Sequence, residues 1–203
     1  TGPVGGAISE HDLYPMLAAY LKQTHGVLAK RIDERKSGNR NGPKGNQWLH
    51  PDLIGFEVLS DRWSETVRSL VQARSDPSSR LWSFEVKKLV NRANVREVFF
   101  QALSNSAWAN FAFLVAAEIS GKGTLDELRM LSSQHGVGVI VLATSPENES
   151  NVVIQARERS EVDWTAADRL AATNPDADAL FRQVRVYHQA GELTQEYWDK
   201  STP

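Results

Sequence analysis

The sequence predicts one α/β domain: a central sheet flanked by helices, closed by a helical C-terminal extension over residues 162–203. Three observations predict it. Phe111 to Ile119 and Val137 to Ala143 are nearly unbroken apolar runs, as expected of strands covered on both faces. Val95, Val98, Phe99, Ala102 and Leu103 recur at i, i+3, i+4, i+7 and i+8, an amphipathic helix ahead of the first run, and Leu125 to Gln134 reads as a helix between the two. Strands alternating with helices imply crossover connections, and 203 residues suit a single domain, taken as 7–203 with Thr1 to Gly6 read as a cloning scar.

Composition narrows the chemistry. With no cysteine, disulfides, thiolate zinc sites and cysteine nucleophiles are excluded, and a cytoplasmic setting is expected. Five scattered histidines show no metal-ligand spacing, so a metal would be oxygen-liganded, magnesium first. No apolar stretch is long enough to span a bilayer. A net charge of −2 does not mark a nucleic-acid binder, so any such role needs a local basic patch or another subunit.

In chain order, Leu13, Leu17, Tyr20 and Leu21 form the apolar stripe of a first helix ending near His25-Gly26. Its start is open between a Ser9/Asp12 capping box, which puts Pro15 inside the helix, and Pro15 at the first helical position. Lys30 to Gln47 reads as a polar loop bearing Lys30, Arg31, Arg35, Lys36, Arg40 and Lys44 among glycines and a proline, a candidate phosphate-contacting loop or a plain solvated one. Trp48 to Val58 is a strand with Pro51 at its bend, and Asp61 to Ala73 is a short helix with Trp63, Val67, Leu70 and Val71 inward. Leu81 to Val90 is a strand, and Asn94, Gln101 and Asn105 form a polar stripe on the helix after it. Val152 to Ala156 reads as an edge strand. Trp164 to Ala172 and a helix capped by Asn174-Pro175 close the chain. Trp48, Trp82 and Trp108 are read as core.

Chemistry concentrates in two stretches. In Phe84-Glu85-Val86-Lys87, strand alternation puts Glu85 and Lys87 on one face and Phe84 and Val86 on the other. If Asp52 lies on a neighbouring strand, two carboxylates and one ammonium converge, the equipment to hold a divalent cation beside a phosphodiester. The alternative is a solvated strand pair with Asp52 capping the turn after Pro51.

Pro51-Asp52, then Glu85-Val86-Lys87 and a following helix bearing Gln101, resembles the PD-(D/E)XK nuclease superfamily. The longer stretches Trp48-Leu49-His50-Pro51-Asp52-Leu53-Ile54-Gly55 and Gln101-Ala102-Leu103-Ser104-Asn105 resemble its HrgA-like, restriction-associated bacterial branch. The resemblance implies a restriction-endonuclease-like fold with a mixed sheet. It also implies magnesium- or manganese-dependent DNA cleavage in restriction or anti-phage defence, with a non-catalytic nucleic-acid-binding or scaffold subunit as the alternative. Asp52 and Glu85 would bind the metal, Glu10 would complete its shell from the first helix, Lys87 would assist the attacking water, and Gln101 would contact a phosphate. The implied partners are DNA, a second copy of the chain, and a helix-turn-helix-like module or other defence subunit, none being visible in this sequence.

Overall fold

In a computed structural model describing residues 8–38 and 48–199, six strands form one mixed sheet in the order β1-β2-β3-β4-β5-β6. The elements are α1 (Glu10–Tyr20), β1 (Val27–Arg31), β2 (Leu53–Val58), α2 (Glu65–Arg74), β3 (Ser79–Val90), α3 (Val95–Ser104), β4 (Phe111–Ile119), α4 (Thr124–His135), β5 (Gly138–Val141), β6 (Asn151–Ile154), α5 (Trp164–Thr173) and α6 (Pro175–Ala190). Strands β1, β2 and β3 run antiparallel, β3, β4 and β5 run parallel, and β6 returns antiparallel at the edge. Among the described residues no helix is long and apolar enough to cross a membrane.

The open question at the first helix is settled by its cap. Ser9 accepts from the Asp12 N–H while the Asp12 carboxylate accepts from the Ser9 N–H at 2.8 Å, so Pro15 sits inside α1. One π-helical turn, Leu21–His25, carries the helix to Gly26, whose φ of 68° in the left-handed region ends it. At the other end of the chain, fully buried Asn174 caps α6 and also donates to the Asp33 carbonyl and, at 2.8 Å, to Ser37 Oγ, tying the extension to the segment after β1.

Alternation along the strands separates two faces. Leu53, Trp82, Phe84, Val86, Phe113 and Val115 pack beneath α1. The opposite face packs on α3 and α4 through Ala112, Leu114 and Val139, and on α5 and α6 through Ile54, Phe56 and Leu81. On the α1 face the Trp82 and Phe113 rings stack at 5.5 Å, and Gly55 leaves space for Val27, Trp82 and Phe84. A Cβ there would lie 2.7 Å from Val27 Cγ1 and 3.0 Å from both Trp82 Cβ and the Phe84 ring. Gly55→Ala is therefore expected to destabilise the fold by about 1–3 kcal/mol, read as a lower urea midpoint.

The structure corrects several expectations. Lys30 and Arg31 belong to β1, because Val27 and Ala29 pack inward and the backbone pairs with β2 across Lys30 and Arg31. The strand expected from Trp48 starts only at Leu53, and Trp48 is 44% exposed, while Trp82 and Trp108 are core. Helix α2 buries none of its residues, and Val67 and Leu70 are exposed. A groove of about 1080 Å³ between α2, the start of β3 and α6 is lined by Trp63, Arg68, Tyr187 and His188 and contains none of the predicted site residues.

Candidate active site

Asp52 stands one residue before β2 and extends its ladder on both sides. Its N–H donates to the Phe84 carbonyl at 3.0 Å and its carbonyl accepts from the Ile32 N–H at 2.9 Å. Beyond that point β2 no longer supplies a partner for Val86, and the Asp52 carboxylate does so instead, its Oδ2 accepting from the Val86 N–H at 2.7 Å. Because β2 and β3 pair directly, with Leu53 opposite Phe84, this bond sets Asp52 beside Glu85 and Lys87.

Glu85 and Lys87 lie on the sheet face opposite α1, the face of Leu81 and Ser83. Glu85 is 1% exposed, and its Oε1 accepts from Lys87 Nζ at 2.7 Å. Its Oε2 accepts from Asn105 Nδ2 at 3.3 Å. The remaining oxygen of the pair, Asp52 Oδ1, accepts from the Tyr14 hydroxyl at 3.3 Å. Tyr14 comes from α1 and lies under the Arg31 guanidinium, 5.0 Å from the ring centre.

Burial dominates the electrostatics. It raises Asp52 above the usual carboxylate range, although Lys87 pulls the other way. Burial first, and then the charge of Asp52, pushes Glu85 up to about 8, so Glu85 holds its proton at neutral pH. Burial would lower Lys87, but the charges of Glu85 and Asp52 outweigh it and leave the ammonium more firmly protonated than usual. Two carboxylates held close in a dry setting resist ionising together, and one cation offsets only part of that cost.

Of the other predicted residues, Glu10 reaches this site, its Oε1 accepting from the Lys88 N–H at 3.4 Å and its charge acting on both Asp52 and Lys87. Gln101 is buried at 5% exposure in α3. The basic cluster is largely committed to the protein's own acids. Lys30 pairs with Asp199 at 2.9 Å, Lys36 with Asp176 at 2.8 Å and Arg35 with Asp33 at 2.7 Å, and Arg31 lies 3.5 Å from Glu34. Arg40 and Lys44 lie outside the described residues. Sequence reasoning missed Tyr14, which sits on the apolar stripe of α1 and looks like core. It saw Asn105 only as part of a polar stripe.

Each of the four carboxyl oxygens accepts one hydrogen bond described above, and once Glu85 has given up its proton each has a second lone pair to offer, which would suit a hard, oxygen-liganded cation. No group of three or more His, Cys, Asp or Glu side chains among the described residues is gathered to hold a metal. Magnesium accepts such a site, since it keeps several waters and commonly takes one or two carboxylates plus substrate phosphate.

No family model matches the chain, and no curated protein matches it. Among solved structures, a protein of unknown function from Silicibacter pomeroyi is similar at 13% identity and a TM-score of 0.44, over 93% of this chain and 99% of that one.

Proposed function

We propose that this protein is a metal-dependent nuclease of the restriction-endonuclease-like, PD-(D/E)XK kind, hydrolysing DNA phosphodiester bonds with magnesium or manganese. The observation that carries this reading is the meeting of Asp52, Glu85 and Lys87 on two paired strands, with Lys87 Nζ 2.7 Å from Glu85. Asp52 and Glu85 would hold the cation, with Glu10 at the rim adding negative charge. Bound there, the cation would polarise a phosphoryl oxygen and acidify a water. Lys87 orients that water and offsets charge building on the phosphoryl group. To hold the cation Glu85 would have to give up its proton, so binding is expected to strengthen as pH rises towards 8.

A second reading, a nucleic-acid-binding or scaffold subunit without chemistry, is favoured by a different observation: Glu85 is 1% exposed and already paired with Lys87 at 2.7 Å. Supercoiled plasmid incubated with the purified protein separates the two. Nicking with magnesium or manganese and none with EDTA is expected, and a protein that binds plasmid without nicking it in either metal leaves the second reading. A role in restriction or anti-phage defence belongs to the same proposal and would follow from nuclease-dependent protection of cells against phage.

A further inference from the structure

We propose that Asn105 is a positioning residue for Glu85, holding the carboxylate so that its free lone pairs face the cation. This rests on reading Asp52 and Glu85 as a metal site. Glu85 is a long side chain whose strongest contact, Lys87 at 2.7 Å, is a cation two residues along the same strand. That contact competes with metal binding, because an ammonium and a divalent ion draw on the same negative charge. The contact from Asn105 does not compete. Its carboxamide is neutral and donates to Oε2 at 3.3 Å, restraining the carboxylate while leaving its charge for the cation.

Asn105 is itself held in place. It lies 4% exposed at the end of α3, its N–H donating to the Gln101 carbonyl at 3.0 Å. Its carbonyl accepts from Trp108 Nε1 at 2.8 Å and from Ser83 Oγ at 3.2 Å, so it is bound to the strand that carries Glu85. The following turn is bolted down from both sides. Arg159, from the segment after β6, donates to the Ser106 carbonyl at 2.6 Å, and the Asn110 carboxamide accepts from the Leu81 N–H at 2.8 Å and donates to the Arg159 carbonyl at 3.0 Å. A side chain with this much backbone support suits a role in orientation, which needs a rigid mount.

The test measures cation binding without DNA, by the loss of the free Mn²⁺ paramagnetic resonance signal on adding protein. Asn105→Ala is expected to weaken Mn²⁺ binding about 10-fold or more, the usual effect of removing a group that orients a ligand. Asn105→Ser keeps a polar side chain in the turn but is too short to reach Glu85, and the same weakening is expected of it if the alanine variant fails to fold. Thr124→Ala removes a buried hydrogen bond elsewhere in the fold, to the Ser120 carbonyl, and leaves Asn105 and its turn alone, and Mn²⁺ binding within about 2-fold of the parent is expected there. If the parent binds Mn²⁺ and both Asn105 variants bind it equally well, or if Thr124→Ala weakens binding as much as they do, Asn105 is a structural residue only. If the parent binds no Mn²⁺, the metal-site reading itself falls, and this inference with it.

Discussion

Lys87→Ala is expected to lower metal-dependent DNA cleavage by about 10²–10⁴-fold while the protein stays folded. The size of the effect follows from where the ammonium sits. Among the described residues it is the one cation paired with Glu85, at 2.7 Å, and it also counters the charge of Asp52. Without it the water loses its orienting group, and charge developing on the phosphoryl group loses its nearest compensation. The fold survives because both carboxylates can take up protons, Glu85 doing so already near neutral pH. Asp52→Asn and Glu85→Gln are expected to abolish cleavage as well, through loss of cation binding. The asparagine is preferred to alanine at position 52 because its carboxamide oxygen still accepts from the Val86 N–H, a bond of 2.7 Å whose loss would leave a buried donor unpaired at about 1–3 kcal/mol. Plasmid nicking is the measurement, with circular dichroism to confirm the fold. Variants that cut as well as the parent would place the activity elsewhere.

Glu85→Gln is expected to change the pH dependence of stability as strongly as it changes activity. An unfolded glutamate titrates near 4.5, whereas folding pushes Glu85 up to about 8. Below 4.5 both states hold the proton and no difference arises. As pH rises from there to 8, the unfolded chain gives up its proton while the folded protein keeps it, so the metal-free protein loses stability across this window and no further above it. Each pH unit in which the two states differ by one proton is worth about 1.4 kcal/mol, which sets the loss on the order of a few kcal/mol. Glutamine has no proton to lose, and the slope between pH 4.5 and 8 should flatten. Its amide meets two donors, Lys87 and Asn105, which adds a constant offset that leaves the slope unaffected. Urea melts from pH 4.5 to 9 without metal test this, and parallel curves for parent and variant would contradict it.

The two predictions describe one design. The features that make the site costly without a metal, burial and two adjacent carboxylates, are the ones that would give a cation its affinity. Tyr14, Asn105 and the Val86 N–H restrain the carboxylates with neutral donors, and Lys87 supplies direct charge pairing.

Much of this was legible in the residues because it depends on local spacing. The apolar run from Phe111 to Ile119 is β4 residue for residue, and the periodic stretch from Val95 is α3. Ser9 with Asp12, and Asn174 before Pro175, carry the geometry of their caps in three or four consecutive residues. The same logic set Glu85 and Lys87 on one face, because strand alternation needs no partner. Where an outcome depended on a distant segment, the reading failed. Lys30 and Arg31 looked like loop cations until β2 paired with them, and Lys30 and Lys36 pair with Asp199 and Asp176 from the far end of the chain. The apolar stripe of α2 implied a covered face, yet Val67 and Leu70 are exposed, since periodicity shows that a helix has a sticky side and is silent on what meets it.

By itself, then, the sequence determined the alternation of strands and helices and the acid–cation pair on β3, both properties of neighbours along the chain. Only the tertiary structure decided that Asp52, 34 residues from Val86, closes the ladder there and so stands beside Glu85, and that Tyr14 and Asn105 hold the two carboxylates. The reason is physical: a buried N–H must find an acceptor, and which residue answers depends on how the strands pair.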